Sequence, residues 1–171
     1  PAPYDLQENV MQAIVQHDRV AVRSGNGVGK GWLSARVALW FLHCFAPSII
    51  ITTAPTQRQV EKLLWKEIKV AYRNADVRLA EPLTTELEIA DDWYAVGFTS
   101  KKEDTEKFQG FHEDNVLIIF DEASGIHRAV YKAVEGNLTS GNCKFLCIGN
   151  PVDTDGEFFE LFKNDEWKHI H

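Results

Sequence analysis

The residues most suggestive of chemistry in this 171-residue chain form one glycine-rich stretch. It reads Ser24, Gly25, Asn26, Gly27, Val28, Gly29, Lys30 and Gly31. Glycines let a loop turn its backbone N–H groups towards a phosphate chain, and a lysine at its end can reach the β- and γ-phosphates. The stretch therefore predicts a loop that binds the phosphates of ATP. It departs from the consensus twice, because Ser24 replaces the usual first glycine and Gly31 replaces the Ser or Thr that binds magnesium.

A pair of carboxylates, Asp121 and Glu122, directly follows the apolar run at 116–120. Ligands of open α/β sheets bind beyond the carboxyl ends of the strands, so the pair should reach the same edge as the phosphate loop. Asp121 is expected to hold Mg²⁺ through water, and Glu122 to orient or deprotonate the attacking water. The alternative is an acidic helix start, where carboxylates interact favourably with the helix dipole.

These groups must be positioned by regular elements on both sides of them. Apolar residues recur every three or four positions at 4–16 and 30–45, which predicts helices before and after the loop, with a short strand at 17–22. Apolar and β-branched runs predict buried strands at 48–53, 116–120 and 144–148. This alternation predicts an α/β sandwich around a mainly parallel sheet.

The remaining segments complete that arrangement. A long amphipathic helix is expected at 56–72, with Val60, Leu63, Leu64, Ile68 and Ala71 on one face. Runs at 87–90 and 93–98 predict a β-hairpin, since only two residues separate them. A polar loop at 101–112, helices at 127–138 and 157–163, and a strand at 167–170 are also expected.

Length and composition favour one globular domain spanning 1–171. The apolar runs are too short to cross a bilayer, and the three cysteines read as reduced thiols. The formal net charge of -7 argues against a surface that grips DNA unaided. Any DNA contact is therefore expected to be local or shared with other domains or subunits. The cluster of Lys101, Lys102 and Lys107 is more typical of a solvated loop.

Several longer strings add a family resemblance. They are PYDLQ at 3–7, VAVRSGNGVGK at 20–30, TAPTQRQV at 53–60, FQGFH at 108–112, DEASG at 121–125 and GNP at 149–151. With these strings the chain resembles, nearly end to end, the ATPase domain of the large terminase subunits of tailed bacteriophages. The resemblance implies a three-layer RecA-like (ASCE-type) P-loop fold, with the hairpin added to its parallel sheet.

The same resemblance implies a function and partners. Such domains hydrolyse ATP to drive double-stranded DNA into a procapsid, as a ring of subunits on the portal protein, together with a small terminase subunit. The isolated domain is expected to be monomeric, to come from a virus or prophage, and to work in the host cytoplasm. The nuclease domain of such subunits is expected to lie outside this chain.

The resemblance also assigns further site residues. It implies that Gln7 contacts the adenine and that Asn150 senses the γ-phosphate. An arginine finger is expected as well, and two candidates stay open. Arg23 adjoins the loop and could act within its own subunit, whereas Arg128 follows the acidic pair and could serve a neighbouring one.

Two other functions compete with this interpretation. A helicase-type motor shares the loop and the acidic pair, but it generally needs a second RecA-like domain. A nucleotide-binding module without hydrolysis is suggested by Gly31, which lacks a magnesium-binding hydroxyl. Glu122 argues against the second alternative, because simple binding requires no base. With Gly31 in place, the chain is expected to need more Mg²⁺ than its relatives, and Gly31→Thr should lower that need.

Overall fold

The structure is a computed structural model that describes residues 2–108, 110–111, 113–136, 138, 141–152 and 154–171. For residues 102–104 it describes the backbone alone. Gln109 and His112 of the FQGFH string lie outside the described residues.

A single seven-stranded sheet organises the chain. Its strands are β1 (Arg19–Arg23), β2 (Ile49–Ala54), β3 (Glu86–Ala90), β4 (Trp93–Thr99), β5 (Asn115–Asp121), β6 (Asn142–Gly149) and β7 (Lys168–Ile170). Their order is β3-β4-β2-β5-β6-β1-β7, and all neighbours are parallel except β3 and β4. The predicted hairpin is therefore confirmed as an antiparallel addition at one edge.

Helices cover both faces of the sheet. They are α1 (Asp5–Gln16), α2 (Lys30–Cys44), α3 (Trp65–Arg73), α4 (Arg128–Glu135) and α5 (Glu157–Leu161). Residues of α1, α2 and α3 share one core cluster with one face of the sheet, and residues of α4 and α5 share a second cluster with the other face. The three-layer α/β fold expected from the sequence is confirmed, and β6 lies between β5 and β1, so that these three strands are neighbours in the sheet.

The helix expected at 56–72 differs from the prediction. It begins as a π-helix at Gln59–Leu64 and becomes α-helical only at α3. The Trp65 N–H bonds to the Val60 carbonyl, five residues back, so the wider turn rotates the buried face. Trp65 and Tyr72 are therefore buried, while Leu63 is 46% exposed. The prediction that placed Leu63 on the buried face was wrong.

The polar segment expected as a loop at 101–112 also differs. It contains a 3₁₀ helix at Lys102–Phe108, which ends on a buried aromatic ring. The Phe108 ring packs 4.8 Å from Phe98 and 6.2 Å from Phe120, between centroids. The prediction missed this helix because Phe108 is one apolar residue in a polar stretch.

The described helices include none long and apolar enough to span a membrane.

Candidate active site

The phosphate loop connects β1 to α2 and is shaped by two glycines. Gly27 and Gly29 have φ values of 75° and 76°, in the left-handed region that glycine adopts without strain. Gly29 is also the residue that precedes the first turn of α2. The free N–H groups and positive dipole end of α2 therefore face the loop interior, as anion binding requires.

Two residues at the start of the chain brace this loop from outside. The Gln7 Nε2 group donates to the carbonyls of Val28 and Gly29, each at 3.5 Å, and Gln7 Oε1 accepts from the Tyr4 N–H at 3.4 Å. The Tyr4 hydroxyl donates to the Val28 carbonyl at 2.7 Å. Gln7 thus lies against the loop, and its expected adenine contact stays a prediction. Sequence reasoning missed Tyr4, which remains 45% exposed beside the loop.

Lys30 is the centre of the site. Its side chain is only 8% exposed, and its ammonium donates to the Gly25 carbonyl at 3.2 Å and to Asn150 Oδ1 at 2.7 Å. The same nitrogen lies 3.3 Å from Glu122 Oε1. Lys30 therefore contacts the phosphate loop, the acidic pair and the segment after β6. These three segments are distant from one another along the chain.

Asn150 connects the end of β6 to the phosphate loop. Its Oδ1 accepts from Lys30, and its Nδ2 donates to Asn26 Oδ1 at 2.6 Å. The Ser24 N–H donates to the Gly149 carbonyl at 3.1 Å, which holds the adjoining backbone together. This position is suited to detecting whatever binds beside Lys30.

Asp121 is the buried member of the acidic pair. It is 5% exposed, and its Oδ1 has no hydrogen-bond partner among the described residues. Burial and the neighbouring Glu122 raise the pKa of Asp121 to about 7, although Lys30 and the Glu122 backbone N–H lower it. An anion with an unpaired oxygen in such a place is costly unless a cation binds it.

Glu122 is held in an unusual backbone conformation. Its φ and ψ are 50° and 47°, and it is the one non-glycine residue with positive φ in the described part of the chain. A 3₁₀ turn at Ala123–Gly125 follows it directly. Strain of this kind persists where the surroundings enforce it, commonly at functional sites. The Glu122 side chain is 29% exposed, so it can reach both Lys30 and solvent.

The opposite wall of the site comes from the segment after β2. An open cleft of about 450 Å³ lies between this segment and the phosphate loop. Lys62, Leu63, Lys66 and Glu67 line it from one side. From the other side it is lined by Asn26, Gly27, Gly29, Lys30, Gly31, Trp32, Asp121 and Glu122. Sequence reasoning missed Lys62, Lys66 and Glu67 because the π-helix determines which side chains face the loop.

The two arginine candidates lie outside this cluster. The Arg23 guanidinium lies over the Phe162 ring, 3.8 Å from its centroid, against α5. Arg128 is exposed, and its Nε pairs with Glu157 Oε2 at 2.9 Å. Neither side chain lines the cleft in this structure, so the finger stays a prediction for both.

The donor set fits a magnesium ion in part. Asp121 supplies a buried, unpaired carboxylate oxygen, whereas Gly31 supplies no side-chain ligand. In the described part of the chain, no three His, Cys, Asp or Glu residues converge into a cage for a metal. Mg²⁺ suits such a site, because it usually keeps several waters and binds one or two carboxylates plus substrate phosphates.

Comparisons with known proteins agree with this geometry. No family model matches the chain. A probable terminase large subunit of Enterobacteria phage P7 is 26% identical over 164 residues, which are 90% of this chain and 33% of that protein. The chain thus spans about a third of that relative.

Three solved structures have the same fold. The large terminase of a thermophilic bacteriophage matches with a TM-score of 0.81 and 15% identity, over 99% of this chain and 46% of that one. Its complex with ADP matches with a TM-score of 0.80. The large terminase ATPase domain of Thermus phage P74-26 has a TM-score of 0.69 and 16% identity, over 99% of this chain and 80% of that one. The resemblance of this chain to the ATPase domain of large terminase subunits is therefore confirmed.

Proposed function

We propose that this domain hydrolyses ATP and that hydrolysis drives the translocation of double-stranded DNA. The observation that carries the proposal is the convergence on Lys30. One ammonium contacts the phosphate loop, Asn150 and Glu122, and Asp121, whose Oδ1 has no hydrogen-bond partner among the described residues, lines the same cleft. A nucleotide complex of a structural relative supports the choice of ligand.

Binding of the triphosphate follows from the loop. The backbone N–H groups around Gly27 and Gly29 and the start of α2 suit the phosphate oxygens. Lys30 is already positioned by the Gly25 carbonyl and Asn150, so little side-chain freedom is lost when it meets the phosphates. Lys62 and Lys66 on the facing wall add positive charge to the cleft.

Hydrolysis needs a water placed in line with the γ-phosphate. Glu122 is the candidate base, because it adjoins Lys30 and is partly exposed to the cleft. Its left-handed backbone conformation fixes the direction in which the side chain leaves the main chain. A fixed carboxylate favours a defined position for the water. Asp121 would hold Mg²⁺, which when bound neutralises the charge that builds on the phosphates.

Asn150 then offers a route from the site to the rest of the domain. Its amide joins Lys30 to Asn26, so the loss of a γ-phosphate would change the partners of both. We infer that this change at the end of β6 reports hydrolysis.

Partners follow from the packaging role. We propose that the domain acts in the host cytoplasm as part of a ring on a procapsid, with double-stranded DNA, a portal protein and a small terminase subunit. The net charge of -7 favours a DNA grip shared between subunits. If the arginine finger acts between subunits, the neighbouring subunit would bring it to the open cleft.

Phosphate release from ATP by the purified domain, with and without Mg²⁺, tests this proposal. The Lys30→Ala variant should lose affinity for ATP while its affinity for adenosine is nearly unchanged, since the lost contact is to phosphate. Lys163→Ala, which removes an exposed lysine outside the cleft lining, is the matched control. Equal losses for ATP and adenosine would show that the loop is structural. ATP binding without any turnover would favour the non-hydrolysing module.

A further inference from the structure

Gly31 lies opposite Glu67, which belongs to the facing wall of the cleft. A Cβ built on Gly31 would lie 3.5 Å from the Glu67 Cγ, which is ordinary van der Waals contact. Both residues line the cleft that also contains Asp121 and Glu122. The place where a magnesium-binding hydroxyl would project is therefore directly beside Glu67.

Glu67 lies on α3, whose neighbouring residues are packed against the sheet and in the core. Two residues earlier, the buried Trp65 donates from Nε1 to Thr52 Oγ1 at 2.9 Å. A Cβ on Gly97 would lie 2.0 Å from the same nitrogen, so this glycine makes room for the Trp65 ring against the sheet. One residue later, Ile68 is buried in the core. The position of Glu67 at the cleft is thus set by packing on both sides.

The Glu67 carboxylate forms no hydrogen bond or ion pair within the described part of the chain. Its charge acts on Arg36, whose pKa is lowered by burial and raised by Glu67. The Arg36 guanidinium itself lies over the Trp32 ring, 3.9 Å from the centroid, and Arg36 Nη1 donates to the Trp32 carbonyl at 3.1 Å.

An independent observation points to a cation in the same cleft. Asp121 is 5% exposed, and its Oδ1 has no hydrogen-bond partner in the described part of the chain. One carboxylate together with phosphate oxygens leaves several magnesium positions for water. Waters that bind a metal are themselves oriented by nearby carboxylates, and loss of such a partner typically weakens metal binding tenfold to a hundredfold.

We propose that Glu67 replaces the missing hydroxyl at residue 31 by holding, through water, the divalent cation that enters with ATP. The proposal rests on the proposed function, because it needs a nucleotide phosphate in the loop. Gly31 and Glu67 would then form a matched pair, in which the absence of a side chain at one position gives the carboxylate access to the ion.

Binding of Mn²⁺, a spectroscopic substitute for Mg²⁺, tests the proposal directly. Free Mn²⁺ is measured by electron paramagnetic resonance in the presence of ATP-γ-S, so the readout is independent of turnover. Glu67→Gln should weaken Mn²⁺ binding roughly tenfold to a hundredfold. Glu61→Gln, on the same helical segment but outside the cleft lining, should bind Mn²⁺ like the wild type. ATP-γ-S affinity in EDTA should be the same in all three proteins.

A hydroxyl restored at residue 31 gives the second arm. Gly31→Thr should improve Mn²⁺ binding far more in the Glu67→Gln background than in the wild type. In that background the threonine hydroxyl binds the ion in place of the lost carboxylate. If Glu67 serves only Arg36, no such rescue occurs and Arg36→Gln reproduces the Glu67→Gln loss.

The outcomes separate the two proposals. Unchanged Mn²⁺ binding in folded Glu67→Gln, or equal effects of Gly31→Thr in both backgrounds, would overturn the role of Glu67. Failure of the wild type to bind ATP-γ-S even with Mn²⁺ would overturn the proposed function instead. Glu67→Asp, which keeps the charge but withdraws it by one methylene, is expected to lose Mn²⁺ affinity as well and serves if Glu67→Gln does not fold.

Discussion

Replacing Asn150 by Asp should convert this site from one that accepts ATP to one that prefers ADP. Asn150 Oδ1 lies 2.7 Å from the Lys30 ammonium, and the substitution preserves this acceptor. It also places a negative charge beside the position expected for the γ-phosphate, and it removes the donor to Asn26. The predicted change is therefore selective for the triphosphate.

The size of the effect follows from these distances. If Lys30 contacts the γ-phosphate at ordinary hydrogen-bond length, carboxylate and phosphate lie about 5 Å apart. Two unit charges at that distance repel by about 3 kcal/mol at an effective dielectric constant of about 20. Lys30 lies between them and the cleft is open, so the expected loss of ATP-γ-S affinity is roughly tenfold to a hundredfold. ADP, whose terminal phosphate lies farther away, should lose much less.

Isothermal titration of ATP-γ-S and ADP into the wild type and Asn150→Asp measures this selectivity. Asn164→Asp is the matched control, because Asn164 is exposed and its Oδ1 accepts from the Glu166 N–H, which an aspartate can also do. Equal losses for both nucleotides, or no loss for either, would show that Asn150 does not face the γ-phosphate.

Three further predictions follow from the same geometry. The pKa of Asp121 is raised to about 7 from 3.8, so between these pH values the folded state binds more protons than the unfolded state. In EDTA, the free energy of unfolding should therefore fall as the pH rises from about 4 to about 7. Urea unfolding should show this slope in the wild type and in Asp165→Asn, which changes an exposed aspartate, but much less in Asp121→Asn; equal slopes would contradict the shift. Because Glu122 has a left-handed backbone, Glu122→Asn should melt roughly 1–4 °C above Glu122→Gln, and identical melting temperatures would argue against strain. If a neighbouring subunit supplies the arginine finger, turnover per subunit should rise with protein concentration by up to about a thousandfold. Arg128→Ala should then abolish this rise. A rate that is independent of concentration and is lost in Arg23→Ala would assign the finger to Arg23.

The parts of the site that depend on local sequence were predicted well. The left-handed glycines, the helix start at Lys30 and the acidic pair at the end of β5 each follow from residues adjacent in the chain. The position of Asn150 came from the family resemblance, and the hydrogen bond to Lys30 places it at the loop.

The facing wall could not be predicted in this way. Leu63, Lys66 and Glu67 line the cleft because a π-helical turn sets their direction and because Trp65 fits against Gly97, a residue distant in the chain. A regular helical period therefore gives the wrong face. The 3₁₀ helix that ends at Phe108 was missed for a related reason, since its aromatic partners come from β4 and β5.

The central claim is that Glu122 serves as the base for ATP hydrolysis. The most direct measurement is single-turnover hydrolysis of labelled ATP with excess domain and Mg²⁺, comparing the wild type, Glu122→Gln and the exposed control Glu88→Gln. Glu122→Gln should bind ATP with nearly wild-type affinity and hydrolyse it at least about a hundredfold more slowly, while Glu88→Gln behaves like the wild type. Hydrolysis by Glu122→Gln at the wild-type rate would remove Glu122 from the mechanism.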